Sequence, residues 1–343
     1  MARLPGSCVA ILACACGVLG CGGGGTSAPP GTAPASTPVT QAEPHSAPSV
    51  QCEMRDVDFE IDDGIVMQVR RLDGRLVPPK GSDRVDFGDV KGMVLEIDRG
   101  EIALAPSSLT RLMNRYVFVG EKAPIGDLEV SIDGQRLVQH GKLKRGLRLP
   151  FTMEASVSVA KDGRMRLRLE KMKTGGVGVT GLMDALNLTL EEVMNAKDVH
   201  GVEVEGDDVL LDAQRLLPPP AIRGRVRRVV VEKNALVQIF GDEPLPSILR
   251  QAKPPGGYMY FLGSELNFGK LTMHGADMLI WDADPHDPFH FFQQHYLRQL
   301  VAGFSETTAA QGLRVAMPDY DEVVRGSVAL RGPQEAALAA RSR

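Results

Sequence analysis

The sequence predicts an α+β, β-rich fold: a long curved antiparallel sheet wrapped around a central amphipathic helix, with two further helices. Three observations lead there. Apolar and polar residues alternate over many short runs, as in strands that cover a core with one face and meet water with the other. Asp-Gly and related pairs, which tolerate the positive φ of tight turns, separate those runs. One segment breaks the pattern: Leu182, Met183, Leu186, Leu190, Val193 and Met194 are spaced by three and four, with Thr180 placed to cap the helix they define.

The hairpin before that helix is the clearest in the chain. Met153, Ala155, Val157 and Val159 alternate with Thr152, Glu154, Ser156 and Ser158, the turn Lys161-Asp162-Gly163 follows, and Arg164 to Leu169 alternates again. A glycine-rich link at 175–178 then leads into the helix.

The N-terminus has a different character. Residues 1–20 read as a signal peptide, because the apolar run from Cys8 to Leu19 suits an export signal and is too short to span a bilayer. The segment Val18-Leu19-Gly20-Cys21 resembles a bacterial lipobox: an aliphatic residue, a tolerant one, a small one, then cysteine. The resemblance implies cleavage before Cys21, a diacylglyceryl thioether on its sulfur and an acyl chain such as palmitate on its new amine. More than one acyl chain makes membrane attachment stable. An ordinary secretory signal cut elsewhere is the alternative. Gly22, rather than Asp, follows Cys21, which favours the outer membrane with the protein facing the periplasm. Residues 21–50 are Gly, Ser, Pro, Thr and Ala with almost no charge, a disordered tether reaching roughly 30 Å.

The folded domain is expected over 51–326, with a tail at 327–343. Val57–Ile61 alternates up to Asp62-Asp63-Gly64, and a second run, Ile65–Leu72, ends at Asp73-Gly74. Met93–Ile97 is expected to break at Asp98-Arg99-Gly100 and resume through Ile102 and Leu104. Ser107 is placed to cap a helix with Leu109, Leu112, Met113, Tyr116 and Val117 on one stripe. Leu128, Val130 and Ile132 lead through Asp133-Gly134 into 137–143. After the central helix, Val202–Glu205 and Val209–Leu211 flank the turn Gly206-Asp207-Asp208, and Leu217-Pro218-Pro219-Pro220 belongs at a sheet edge or crossover. Residues 225–231 and 235–240 form a hairpin over Glu232-Lys233-Asn234, while 258–262 and 270–273, leading to 277–281, close the sheet. A last helix runs from about Pro288 to Gly303, with Phe289, Phe292, Tyr296 and Leu300, and then Phe304, on one side.

Amphipathic strands joined by Asp-Gly turns and interrupted by single capped helices, as at Glu101–Leu112 and Gly178–Leu190, resemble the TULIP-type tubular lipid-binding proteins and their bacterial AsmA-like and LmeA-like relatives. The resemblance covers about 93–241 and leaves 242–326 as an extension. It implies a bent sheet around a helix, a groove for acyl chains, and lipid binding or transfer without catalysis. The side chains expected to line such a groove are Met153, Met165, Leu182, Met183, Leu186 and Leu190. Flexible thioethers adapt to irregular surfaces, and equally fill gaps in a curved sheet.

Composition narrows the alternatives. A net charge of −4 with interspersed signs gives no footprint for nucleic acid. Beyond the first 21 residues the chain has one cysteine, Cys52, so no disulfide framework exists there. Neither a nucleotide loop nor a Gly-x-Ser-x-Gly elbow is present, and no cofactor is expected. Lys142, Lys144, Arg145, Arg148, Arg164, Arg166 and Arg168 are either the wet face of adjoining strands or a patch for anionic head groups. A metal-dependent hydrolase would use Asp282, Asp284, His286 and His290, whose carboxylates and imidazoles are ordinary ligands. The competing reading makes Asp284 or Asp287 a helix cap beside surface histidines. A third possibility is a structural or adaptor lipoprotein that docks another envelope component through the aromatic 289–304 helix.

Overall fold

A computed structural model describes residues 48–120, 123, 125–145, 147–174, 177–178, 199 and 201–326. Cys21, the signal segment, nearly all of the tether, the tail and the expected central helix with Leu182, Met183, Leu186 and Leu190 lie outside the described residues.

The β-rich expectation holds, but the described strands form two open sheets, of twelve and seven strands, rather than one. The first sheet begins with the long hairpin β1 (Val50–Asp62) and β2 (Ile65–Val77), turned at Gly64 with φ +69°. After the two-residue β3 (Val85–Asp86) comes β4 (Val94–Leu104), antiparallel to β2. Asp98-Arg99-Gly100 is therefore no break, and Asp73-Gly74 no turn: both lie inside strands. The register between β2 and β4 shifts between Asp73 and Gly74, where a Cβ on Gly74 would stand 2.1 Å from the Glu96 carbonyl oxygen. A bulge that needs glycine looks, in the sequence, like a turn that needs glycine.

The helix after β4 crosses to the second sheet. α1 (Pro106–Leu112) starts with proline in its first turn and continues as a π-helical turn, Met113–Val117. Ser107 does not cap it. The neighbouring Ser108 is buried instead, and its hydroxyl accepts a hydrogen bond from the Val66 N–H at 3.2 Å. Leu109, Leu112, Met113 and Val117 are buried as expected, whereas Tyr116 turns outward. The Phe118 N–H bonds the Met113 carbonyl five residues back at 2.8 Å, and the wider turn rotates Tyr116 off the stripe.

The second sheet runs β5 (Ile125–Asp133), β6 (Arg136–Arg145), β7 (Leu147–Val159) and β8 (Met165–Thr174) as a meander. The short β9 (Val177–Gly178) pairs with β8, and the hairpin β10 (Val202–Glu205) and β11 (Asp208–Leu211) extends it. Glycines at positive φ make its hairpin turns as the sequence predicts: Gly134 at +59°, Gly163 at +91° and Gly206 at +60°.

The chain then returns to the first sheet. α2 (Ala213–Leu216), capped by the Asp212 carboxylate, leads through the proline run to β12 (Ala221–Gly224), which is parallel to β4. β13 (Val226–Glu232) and β14 (Ala235–Phe240) form the expected hairpin, and β14 joins the other half of β4. β15 (Tyr258–Phe268) and β16 (Leu271–Asp282) do not close the sheet at its margin. They lie inside it, with β15 against β1 and β16 against β19 (Leu313–Met317), which pairs in turn with the edge strand β18 (Phe304–Thr307).

The expected helix over 288–303 is mostly something else. Phe289–Phe292 form a strand, β17, parallel to the second half of β1; a 3₁₀ turn, Gln293–His295, follows, and only Tyr296–Ala302 is helical (α3). β1 changes partner at Asp56, whose φ is +54°: residues 50–55 pair with β15 and residues 57–60 with β17. The pull of the core explains the override. Phe289, Phe291 and Phe292 are all buried, which consecutive positions on one helix face could not achieve, and Phe291 stacks on Phe59 with centroids 5.8 Å apart. Burying each ring is worth about 1.5–3 kcal/mol, well above any local helix preference. A last helix, α4 (Tyr320–Arg325), ends the described chain.

Side chains from both sheets and α1 share one continuous hydrophobic cluster. No helix among the described residues is long and apolar enough to cross a membrane.

Candidate functional site

Between the sheets lies a cavity of about 670 Å³. Its first wall is the apolar face of the twelve-stranded sheet: Met67 from β2, Ile102 and Leu104 two apart on β4, and Phe240 from β14. Alternation puts Ile102 and Leu104 on the same side. The second wall comes from Met165 on β8, Leu211 on β11 and Leu216 on α2. α1 spans the gap with Leu109, Leu112 and Met113, whose spacing of three and four stacks them on one face. This volume lies within the usual range for a small-molecule site, roughly 300–1,000 Å³.

Few polar groups reach into the apolar part. Gln238 on β14 is buried in the wall. The rim is the turn Lys161–Arg164 with Gln214 and Arg225. The Arg164 backbone N–H and guanidinium hold the Asp162 carboxyl below its usual range, and Arg164 also pairs with Glu203. Arg225 donates to the Lys161 carbonyl at 3.1 Å, so its charge meets a neutral oxygen.

Of the groove residues expected from the sequence, Met165 lines this cavity. Met153 borders a separate void of only about 30 Å³, together with Met113, Phe118 and Leu236. A space of that size holds little more than one water, so Met153 acts there as a gap filler. The walls on β4, α2 and β14 were not foreseen. Their residues look like any strand or helix core, and only the distance between the sheets turns them into a lining.

The four residues of the hydrolase reading are not brought together. His286 has an 88% exposed side chain and stands 3.7 Å from Asp284. His290 sits on β17, its Nε2 2.9 Å from Glu60 and its Nδ1 3.5 Å from Asp321, so both ring nitrogens are engaged away from Asp282. Burial works against its charge, but the Glu60 hydrogen bond and the surrounding carboxylates win and raise its pKa. Asp284 and Asp287 cap no helix among the described residues. Asp282 instead meets Asp287 and Asp319, one carboxylate oxygen from each lying within 4.8 Å of the others. Burial pushes the Asp282 carboxyl up to about 8 and Asp319 up to about 7, with neighbouring carboxylates adding to both. Asp319 had no signal in the sequence, because only the parallel pairing of β16 with β19, Asp282 opposite Met317, brings it here.

The aromatic residues expected to form an exposed docking helix face inward: Phe289, Phe292 and Tyr296 are buried. On α3 the exposed apolar side chains are Leu297 and Val301.

Comparison of the chain with protein-family models, with curated proteins and with solved structures finds no match.

Proposed function

We propose that this chain is a membrane-anchored envelope lipoprotein that binds, and by extension shuttles, a lipid or similarly apolar molecule without chemical conversion. The observation that carries the reading is the roughly 670 Å³ cavity between the two sheets, walled by Ile, Leu, Met and Phe side chains. A well-filled sandwich leaves few voids larger than a water. A space this large between apolar walls suits a hydrocarbon group, with Gln238 available for a polar atom and Lys161 and Arg225 at the rim for an anionic end. The acylated Cys21 would hold the domain at the outer membrane, facing the periplasm, and the tether would give it reach. The strand-and-helix resemblance to TULIP-type proteins supports the same reading.

Organic extraction of protein purified from membranes, followed by mass spectrometry, should recover a lipid at close to one molecule per chain. Ala213→Trp, which places an indole at the cavity wall from a partly exposed position, should lower that yield severalfold while leaving the fold intact. An empty wild-type protein that also takes up no fluorescent fatty acid would end the proposal. Cys21→Ala should move the protein from the membrane to the soluble fraction and abolish incorporation of labelled palmitate.

A further inference from the structure

The acidic corner formed by Asp282, Asp287 and Asp319 plays no part in the cavity, and its geometry is unusual for groups left to themselves. Asp282 is the last residue of β16 and only 1% exposed. Its Oδ1 accepts the Asp284 N–H at 2.8 Å, while its Oδ2 is buried with no hydrogen-bond partner among the described residues. Asp319, 4% exposed, accepts the His290 N–H at 2.6 Å through Oδ1. Asp287 reaches the same point from the exposed 283–288 loop. The nearby cationic groups are already engaged: His290 with Glu60 and Asp321, and Arg325 with Asp321. A buried carboxylate oxygen with no donor, on a residue clustered with two more carboxylates, lacks a positive partner among the described residues.

We propose that Asp282, Asp287 and Asp319 bind a hard divalent cation of calcium's class. Donors on one calcium sit at about 2.3–2.6 Å from the ion, so any two of them stand at most about 5 Å apart. The mutual 4.8 Å limit found here meets that condition. All three donors are carboxylate oxygens, which select calcium or magnesium over the softer metals that prefer imidazole or thiolate. Calcium accepts irregular oxygen sets and leaves its remaining positions to water.

The backbone around the site is already held. The Asp282 N–H bonds the Gly257 carbonyl at 3.0 Å and the Ala283 N–H bonds the Met317 carbonyl at 2.8 Å, which fixes Asp282 and the end of β19 side by side. The cation would tie the end of β16, the 283–288 loop and the start of α4 into one unit. It is a structural ion, distinct from the hydrolase centre that the sequence suggested with His286 and His290.

The full chain, stripped with EDTA, tests this directly. Equilibrium dialysis against calcium chloride should find one calcium per chain. The melting temperature should rise by roughly 5 °C between EDTA and about 10 mM calcium chloride. Asp282→Asn should abolish the rise. Asp287→Asn, on an exposed loop where folding is not at stake, should raise the calcium concentration needed by roughly tenfold or more. A wild-type chain that binds no calcium and melts at the same temperature in EDTA and in calcium overturns the proposal. So does an undiminished response in both variants.

Discussion

The side-chain amide of Asn114 hydrogen-bonds both backbone groups of Leu128: its Nδ2 donates to the carbonyl at 2.6 Å, and its Oδ1 accepts the N–H at 3.0 Å. Leu128 lies where β5 shifts register against β6, beside Asp127 at φ +52°, so the strand ladder skips it. Asn114 replaces the missing neighbour, and Thr110 does the same for the Val130 N–H at 2.9 Å. Through these bonds the helical segment that carries Leu112 and Met113 is held against the second sheet, and one end of the cavity with it. Asn114→Ala should cost about 2–4 kcal/mol by leaving two backbone groups unpaired. Urea denaturation measures the loss, and ligand occupancy should fall in the same variant.

Glu53 anchors the 241–257 segment to β1. It is buried, and its carboxylate accepts from the Ser247 hydroxyl at 2.8 Å, the Ile248 N–H at 2.8 Å and the Tyr258 hydroxyl at 2.7 Å, with Arg55 3.5 Å away. Every partner is a donor or a cation, so an amide in its place must turn an NH₂ toward at least one of them. Glu53→Gln should destabilise the fold by about 2–4 kcal/mol, and thermal melting of the variant checks it. A near-neutral result would show that the segment is held by packing alone.

Asp62 sets part of the acid sensitivity. Burial alone would raise its pKa, but hydrogen bonds from the Tyr116 hydroxyl, the Asp63 N–H and Gln294, together with Arg115 at 3.2 Å, lower it below the ordinary 3.8. A lowered folded-state pKa means that the native state favours the ionised form. The contribution is therefore complete above the ordinary value and is lost as pH falls through the folded one. Tyr116→Phe should lower stability by roughly 1 kcal/mol at neutral pH, with the gap to wild type closing at strongly acidic pH. Denaturation curves across the acid range would reveal a constant gap if this coupling were absent.

Cys52 should be inert. Burial pushes its thiol pKa far above the usual range, and the charges of Asp73 and Glu53 push the same way. With the thiolate suppressed and the side chain enclosed, alkylation has no nucleophile to meet. Iodoacetamide at mildly alkaline pH should leave the Cys52 peptide unmodified in the folded protein and convert it fully in guanidinium, as read by peptide mass mapping.

Local chemistry was enough to identify most strands and the turns at Gly64, Gly134, Gly163 and Gly206, because alternation and positive φ depend only on neighbouring residues. The same signals misplace Asp73-Gly74 and Asp98-Arg99-Gly100, which lie within strands. There the glycine at 74 makes room for another strand's carbonyl, and a single sequence does not say which strand that is. Phe289, Phe292 and Tyr296 keep helical spacing, yet pairing with β1 makes a strand of the first two. Met165 borders the cavity, whereas nothing local in the chain singled out Ile102, Leu104 and Phe240, which border it too. The sequence by itself determined β-rich character and hairpin chemistry. Only the tertiary structure decided that the described strands form two sheets, that β1 and β4 divide their lengths between different partners, and that Asp319 meets Asp282. These outcomes depend on contacts between residues far apart in the chain, where burial of whole faces outweighs the small local preferences that periodicity records.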